Sequence, residues 1–147
     1  MTTKNFWLSD VQIVEGVAAP PFLPQPFAEA YWDVLEYVAK TFNYATAVAQ
    51  NAGTTGWFLW SQQLGASTAQ GSAVQWAYPR EMRGTVTLTL YNPSAANAQI
   101  RNATVAGDWT GSAIAGGTKG AAPSGTSNAG SAVGNTVGVH ITADARL

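Results

Sequence analysis

Residues 84–91, GTVTLTLY, alternate without a break. Successive side chains of an extended chain point to opposite sides, so Val86, Leu88 and Leu90 share one face of a strand and Thr85, Thr87, Thr89 and Tyr91 the other. Asn92-Pro93-Ser94 then ends it, because proline has no N–H for the ladder and Asn and Ser favour turns. A strand with one apolar face must lay that face on another layer, so this segment commits the chain to a packed sheet.

The same period recurs elsewhere. Val137, Val139, Ile141 and Ala143 alternate with Gly138, His140, Thr142 and Asp144 near the carboxy terminus. Residues 56–60, GWFLW, read as a buried strand, and Val74, Trp76 and Tyr78 share one face of another. Residues 103–136 are a low-complexity run of Ala, Gly, Ser and Thr, broken by Asp108, Trp109, Ile114 and Lys119. Short strands and long loops are expected there. Many short strands separated by turn signals predict a mainly β fold, with an antiparallel β-sandwich or jelly-roll-like domain over residues 57–147.

Two segments precede this domain. Residues 1–26 read as an extended arm: Phe6, Trp7, Val11, Ile13 and Val14 suit a short strand, and Pro20, Pro21, Pro24 and Pro26 enforce an extended path. Phe6, Trp7, Phe22, Leu23 and Phe27 are too apolar to be left in water, which points to docking on a neighbouring subunit. Residues 27–52 read as one α-helix, with Pro26 at its first turn and Glu29 and Asp33 complementing its dipole. Phe27, Tyr31, Val34, Val38 and Phe42 fall on one face. A second spacing, Tyr31, Val34, Val38, Thr41, Ala45 and Val48, suits a short coiled-coil neck. Packing on the β-domain and forming a neck both remain open, and residues 51–56, NAGTTG, end the helix as a hinge.

Only 10% of the 147 residues are charged, against about 25% in ordinary globular domains. A surface of neutral polar residues suits packing against other subunits. The formal net charge of −1 offers no basic footprint for nucleic acid. The chain has no cysteine, which excludes disulfides and thiolate sites. No apolar run approaches the ~20 residues of a membrane span, and the amino terminus lacks a basic region followed by an apolar one. Neither a cleaved secretion signal nor membrane insertion is therefore expected.

Catalytic chemistry finds little support. No charged side chain lies between Lys40 and Arg80. Asp33 and Glu36 read as a solvated helix face, and nothing sets Glu81 and Asp108 across a cleft as a glycosidase pair. His140, the only histidine, lacks the companions of a metal site or a nucleophilic triad and reads as a structural residue at a subunit contact. No catalytic residue, metal or cofactor is expected. Arg80 and Arg83 flank Glu81 at a sheet end. They make either a solvated turn or a contact to a neighbouring subunit, as the planar guanidinium favours. Asn92, Asn97, Gln99 and Asn102 read first as turn residues. The alternative is a glycan-facing surface built from Asn97 with Tyr91, Trp76 and Trp109.

Three stretches carry a family resemblance: YPREMRGTVTLTLYNPSAANAQIRN at 78–102, GDWTGSA at 107–113 and VHITADARL at 139–147. In order and spacing they resemble the carboxy-terminal domains of bacteriophage tail-fibre and related virion proteins. The resemblance covers roughly residues 57–147. It implies a β-sandwich, a homotrimer, location in the virion, and contact with other phage proteins or with a host surface glycan or receptor. It carries over no receptor-binding residue. The short stretch ahead of the helix suits a short fibre or a tail-tip or baseplate component; a capsid decoration, a head fibre and a carbohydrate-binding module are the alternatives. On this reading Phe6, Trp7, Phe22, Tyr31, Val38, Arg80, Arg83 and His140 are the expected subunit or virion contacts.

Overall fold

The structure is a computed structural model that describes residues 26–72 and 74–146. The expected arm, with Phe6, Trp7 and Phe22, lies outside the described residues. The fold is mainly β, with two antiparallel sheets facing each other as a sandwich and one short helix, as the strand periodicity predicts.

The first sheet is organised around one strand, β10 (Thr136–Asp144). On one side it pairs with β1 (Val38–Lys40) and then β2 (Phe58–Ser61). On the other it pairs with β5 (Thr87–Tyr91) and then β6 (Arg101–Asn102), beyond which lies β7 (Gly107–Asp108). Each flank of β10 is thus interrupted once, where residues 41–57 and 92–100 leave the sheet and return. The second sheet repeats the plan. Its central strand β9 (Gly120–Thr126) pairs with β3 (Ala69–Gly71) and β4 (Trp76–Ala77) on one side and β8 (Thr110–Gly116) on the other. The low-complexity run therefore contains a seven-residue hairpin pair rather than mostly loop. Its Ala, Ser and Gly side chains are small enough for close ladders but carry too weak an apolar alternation to be read in advance.

The inward faces meet in a core of Trp60, Leu90, Ile100, Trp109, Val137, Val139 and Ile141. The expected inward set of β10, Val137 to Ala143, is wholly buried. Trp60 and Trp109 meet edge to face with ring centroids 5.9 Å apart, a geometry worth about 0.5–1.5 kcal/mol beyond the area buried. Gly125 opposite makes room for the larger ring: a Cβ there would sit 3.3 Å from Trp109 Cε3. A second cluster, Ala39, Tyr78, Met82, Ala121, Ala143 and Ala145, extends the core toward the helix end.

The expected helix over 27–52 is corrected. Helix α1 covers only Phe27–Val34, and Leu35 closes it as the C-cap. After a turn the chain enters β1, where Ala39 is buried opposite Ala143. Two forces override the local helical spacing. β1 exchanges ladder hydrogen bonds with β10, and residues 41–48 are rich in Thr, Asn and β-branched or aromatic side chains that gain little from a helix. A coiled-coil neck through Val38, Thr41 and Val48 is excluded by the same pairing.

Gly138 is the tightest point of the central strand. A Cβ there would lie 2.7 Å from the Phe58 carbonyl oxygen and within 3 Å of the Leu59 and Trp57 side chains. Gly138→Ala is therefore expected to destabilise the fold by about 1–3 kcal/mol, the usual range for overpacking, seen as a lower urea midpoint with an unchanged m-value. An unchanged midpoint would show that β2 does not pack across β10 as described.

Candidate interaction surfaces

Most polar residues singled out from sequence hold the fold together internally. The two excursions flanking β10 meet over it: Asn51 N donates to the Asn92 carbonyl (2.8 Å) and Gly53 N to the Pro93 carbonyl (2.9 Å). Gln50 Oε1 accepts from Asn92 N at 2.6 Å. Asn92 Oδ1 caps the turn by accepting from Ser94 N and Ala95 N, and Asn102 Oδ1 does the same for Thr104 N and Val105 N. Both asparagines are fully buried. The preferred reading of Asn92, Asn97 and Asn102 as turn residues holds.

Asn97 is not free to face a ligand. Its amide donates to Asp108 Oδ2 at 3.0 Å, while its carbonyl oxygen accepts from Asn92 Nδ2 and Gln99 N. Asp108 is also paired with Arg101 at 3.0 Å. Burial would raise the Asp108 pKa, but hydrogen bonds from Asn97, Asn92 and Arg101 outweigh it and hold it below the usual carboxylate value. Trp109 is likewise corrected: it is fully buried, because it points inward from the β7–β8 junction while Asp108 points out. Of the expected glycan-facing residues, Tyr91, Trp76 and Asn97 are half-buried, Trp76 with its ring packed against both core clusters.

His140 is an interior residue, not a subunit contact. It is 1% exposed and stacks on Phe42 with centroids 4.1 Å apart. Its Nε2 lies 2.9 Å from the Gly53 carbonyl oxygen, which can only accept, so Nε2 carries the proton. Nδ1 then accepts from Thr41 Oγ1 at 3.2 Å. The neutral ring thus ties the first excursion to β10. Burial lowers its pKa, with the Gly53 hydrogen bond pulling weakly the other way.

Arg80 and Arg83 pair with their own chain while staying exposed. Arg80 Nη2 lies 2.6 Å and Arg83 Nε 3.0 Å from the two carboxylate oxygens of Glu36. Arg83 further donates to Tyr37 Oη at 2.8 Å, and its backbone N–H to the Glu36 carbonyl. Glu36 is thus no solvated helix residue but the clamp that fixes the turn after α1. Glu81, between the two arginines, instead approaches Lys119 at 4.0 Å.

Two outward surfaces stand out among the described residues. The first is apolar. No residue of α1 is buried, Phe27 and Tyr31 stack on one another at 6.1 Å, and Trp32 meets Tyr31 edge-on. Beside them Tyr31, Val34, Val38, Phe42, Tyr44 and Pro79 line a groove of about 290 Å³. Tyr31 and Val38, both expected contacts, fall here. Trp32 and Tyr44 carry no such signal in the sequence: Trp32 lies off the main apolar stripe, and Tyr44, 87% exposed, falls within the span whose spacing suggests helix.

The second surface is polar. The outward face of β5 and β10 carries Thr87, Thr89, Tyr91, Thr142 and Asp144, and with Arg146 these line an open groove of about 580 Å³. Its residues were visible as the polar halves of two alternating strands, but only the pairing of those strands brings them together. Asp144 is held down to about 2 by hydrogen bonds from Arg146, against a small opposing effect of burial.

Among the described residues no group of three His, Asp or Glu side chains could hold a metal ion, and no helix is long and apolar enough to cross a membrane. Comparison with known proteins finds no matching family model, curated protein or solved structure.

The folded protein takes up a proton at His140 less readily than the unfolded chain. Stability from this site is therefore present in full above about pH 6.5 and lost as pH falls through that value. The denaturation midpoint should fall from about pH 7 to about pH 5, and His140→Gln should flatten that segment. An equal slope in the variant would remove His140 as its source.

Proposed function

We propose that the chain is a non-enzymatic structural protein of a bacteriophage virion, a short fibre or tail-tip or baseplate component with a role in host attachment. The β-sandwich is the displayed part, and the face around α1 is covered by other copies of the chain in a homotrimer. One observation carries this reading: an eight-residue helix in which no residue is buried. A helix of that length is marginal in water by itself. Its stability must come from packing, and it packs on little of its own domain.

The exposed side chains are of the kind that subunits bury. Phe27 is 78% and Val34 56% exposed, with Tyr31 and Trp32 between them. Aromatic anchors beside an apolar groove are the usual centre of an interface. The low charge of the chain fits a surface partly hidden in an assembly. The YPREMR, LYNP and VHITADARL stretches support the same setting through their resemblance to virion display domains. They contribute scaffold here: Met82, Asn92 and His140 within them are all buried. Asp108, Glu36 and Asp144 are engaged in ion pairs, which suits structure rather than turnover.

Sedimentation velocity at micromolar concentration is expected to show a trimer, and Tyr31→Ser with Val34→Ser to convert it to monomers of unchanged sandwich fold. A wild-type protein that stays monomeric would rule the trimer out. Antibody labelling of intact particles is expected to place the chain on the virion, and its absence from purified particles would defeat the virion role.

A further inference from the structure

We propose that the polar groove over β5 and β10 is a saccharide subsite that takes a neutral hexopyranose ring. This deepens the attachment role proposed above, and it rests on that role for the source of the sugar, a polysaccharide at the host surface.

The site is built by register. Thr89 stands opposite Thr142, Thr87 opposite Asp144, and Tyr91 opposite His140. Directly opposed side chains in an antiparallel pair have Cβ atoms about 4.5–5.5 Å apart. The three threonines, with Asp144, thus set a two-wide array of hydroxyl and carboxylate oxygens on one face. Tyr91 stands at one end. Its ring is fixed edge-on against Phe42 at 5.5 Å, which in turn stacks on His140. Arg146 stands at the other end. Its Nε donates to both Asp144 oxygens at 2.9 and 3.1 Å, its Nη2 to Oδ2, and its backbone N–H to Oδ1. The fork is therefore held before any ligand arrives.

The chemistry selects among ligands. Hydroxyls donate and accept, a carboxylate only accepts and a guanidinium only donates. A ligand that satisfies this set presents both roles at short intervals around a compact ring, as the vicinal hydroxyls of a pyranose do. The single aromatic ring offers a face or edge to the C–H side of the sugar. An apolar ligand would leave the hydroxyls unpaired, at a cost. A phosphate or sulfate is disfavoured because Asp144 already neutralises the one cation in the groove. The volume, about 580 Å³, falls in the range of small-molecule sites.

The test uses the full chain. Amide and side-chain shifts are followed by NMR while methyl α-glucopyranoside, methyl α-mannopyranoside and methyl β-galactopyranoside are each titrated to high millimolar concentration. At least one is expected to give saturable shifts centred on Thr89, Tyr91, Thr142 and Arg146. Thr89→Val with Thr142→Val keeps the β-branched shape of the strands and removes two hydroxyls. This variant should keep its thermal midpoint and bind about tenfold more weakly, and Asp144→Asn should weaken binding comparably. No saturable shift with any of the three sugars, shifts confined to another face, or full affinity in the folded double variant would each overturn the site. Absence of the chain from virions alongside retained sugar binding would instead defeat the virion role and leave the subsite standing.

Discussion

Strand β10 is the element on which the other parts depend. Its nine residues share ladder hydrogen bonds with four different strands, two on each side. Val137, Val139, Ile141 and Ala143 are fully buried on its inner face, so one strand joins the sheet to both core clusters. Its outer face is divided along its length. Gly138 and His140 are covered by the Trp57–Leu59 segment and by the first excursion, whereas Thr142 and Asp144 look into an open groove.

That division explains why so many polar residues are spent on the interior. A strand flanked by interrupted neighbours leaves backbone groups to be satisfied where each neighbour departs. The gaps are filled by Asn92 and Asn102 turning the chain after β5 and β6, by Gln50 bridging the two excursions, and by His140 holding Gly53. The Glu36 clamp on Arg80 and Arg83 does the equivalent work at the sheet end. With these groups engaged, the outward chemistry separates into an aromatic face around α1 and a hydroxyl-lined groove on β5 and β10. The two adjoin, since Phe42 of the first meets Tyr91 of the second edge to face.

Legibility in the sequence tracked the strength of local pattern. The β5 and β10 alternations were clear, because a period of two in strongly apolar residues has few other meanings. The β8–β9 hairpin was not, since Ala, Gly and Ser carry almost no hydrophobic contrast between faces. Residues 35–48 misled for a different reason. Their apolar spacing is compatible with a helix, yet β10 has an unfilled edge that Val38–Lys40 can complete, and the long-range ladder outweighs a local preference worth tenths of a kcal/mol per residue. Trp109 could not be assigned inward without knowing that Gly125 lies opposite.

By itself the sequence determined the class of fold, the inward set of the two main strands and the turn role of the asparagines. Each follows from local stereochemistry: side-chain alternation, proline's missing donor and the Asx side chain's reach to its own backbone. The partners of the charged residues and the make-up of both surfaces were decided only by tertiary structure. Glu36 and Arg80 are 44 positions apart, and Thr89 and Thr142 are 53 apart. Their juxtaposition depends on strand order and register, which local pattern does not encode.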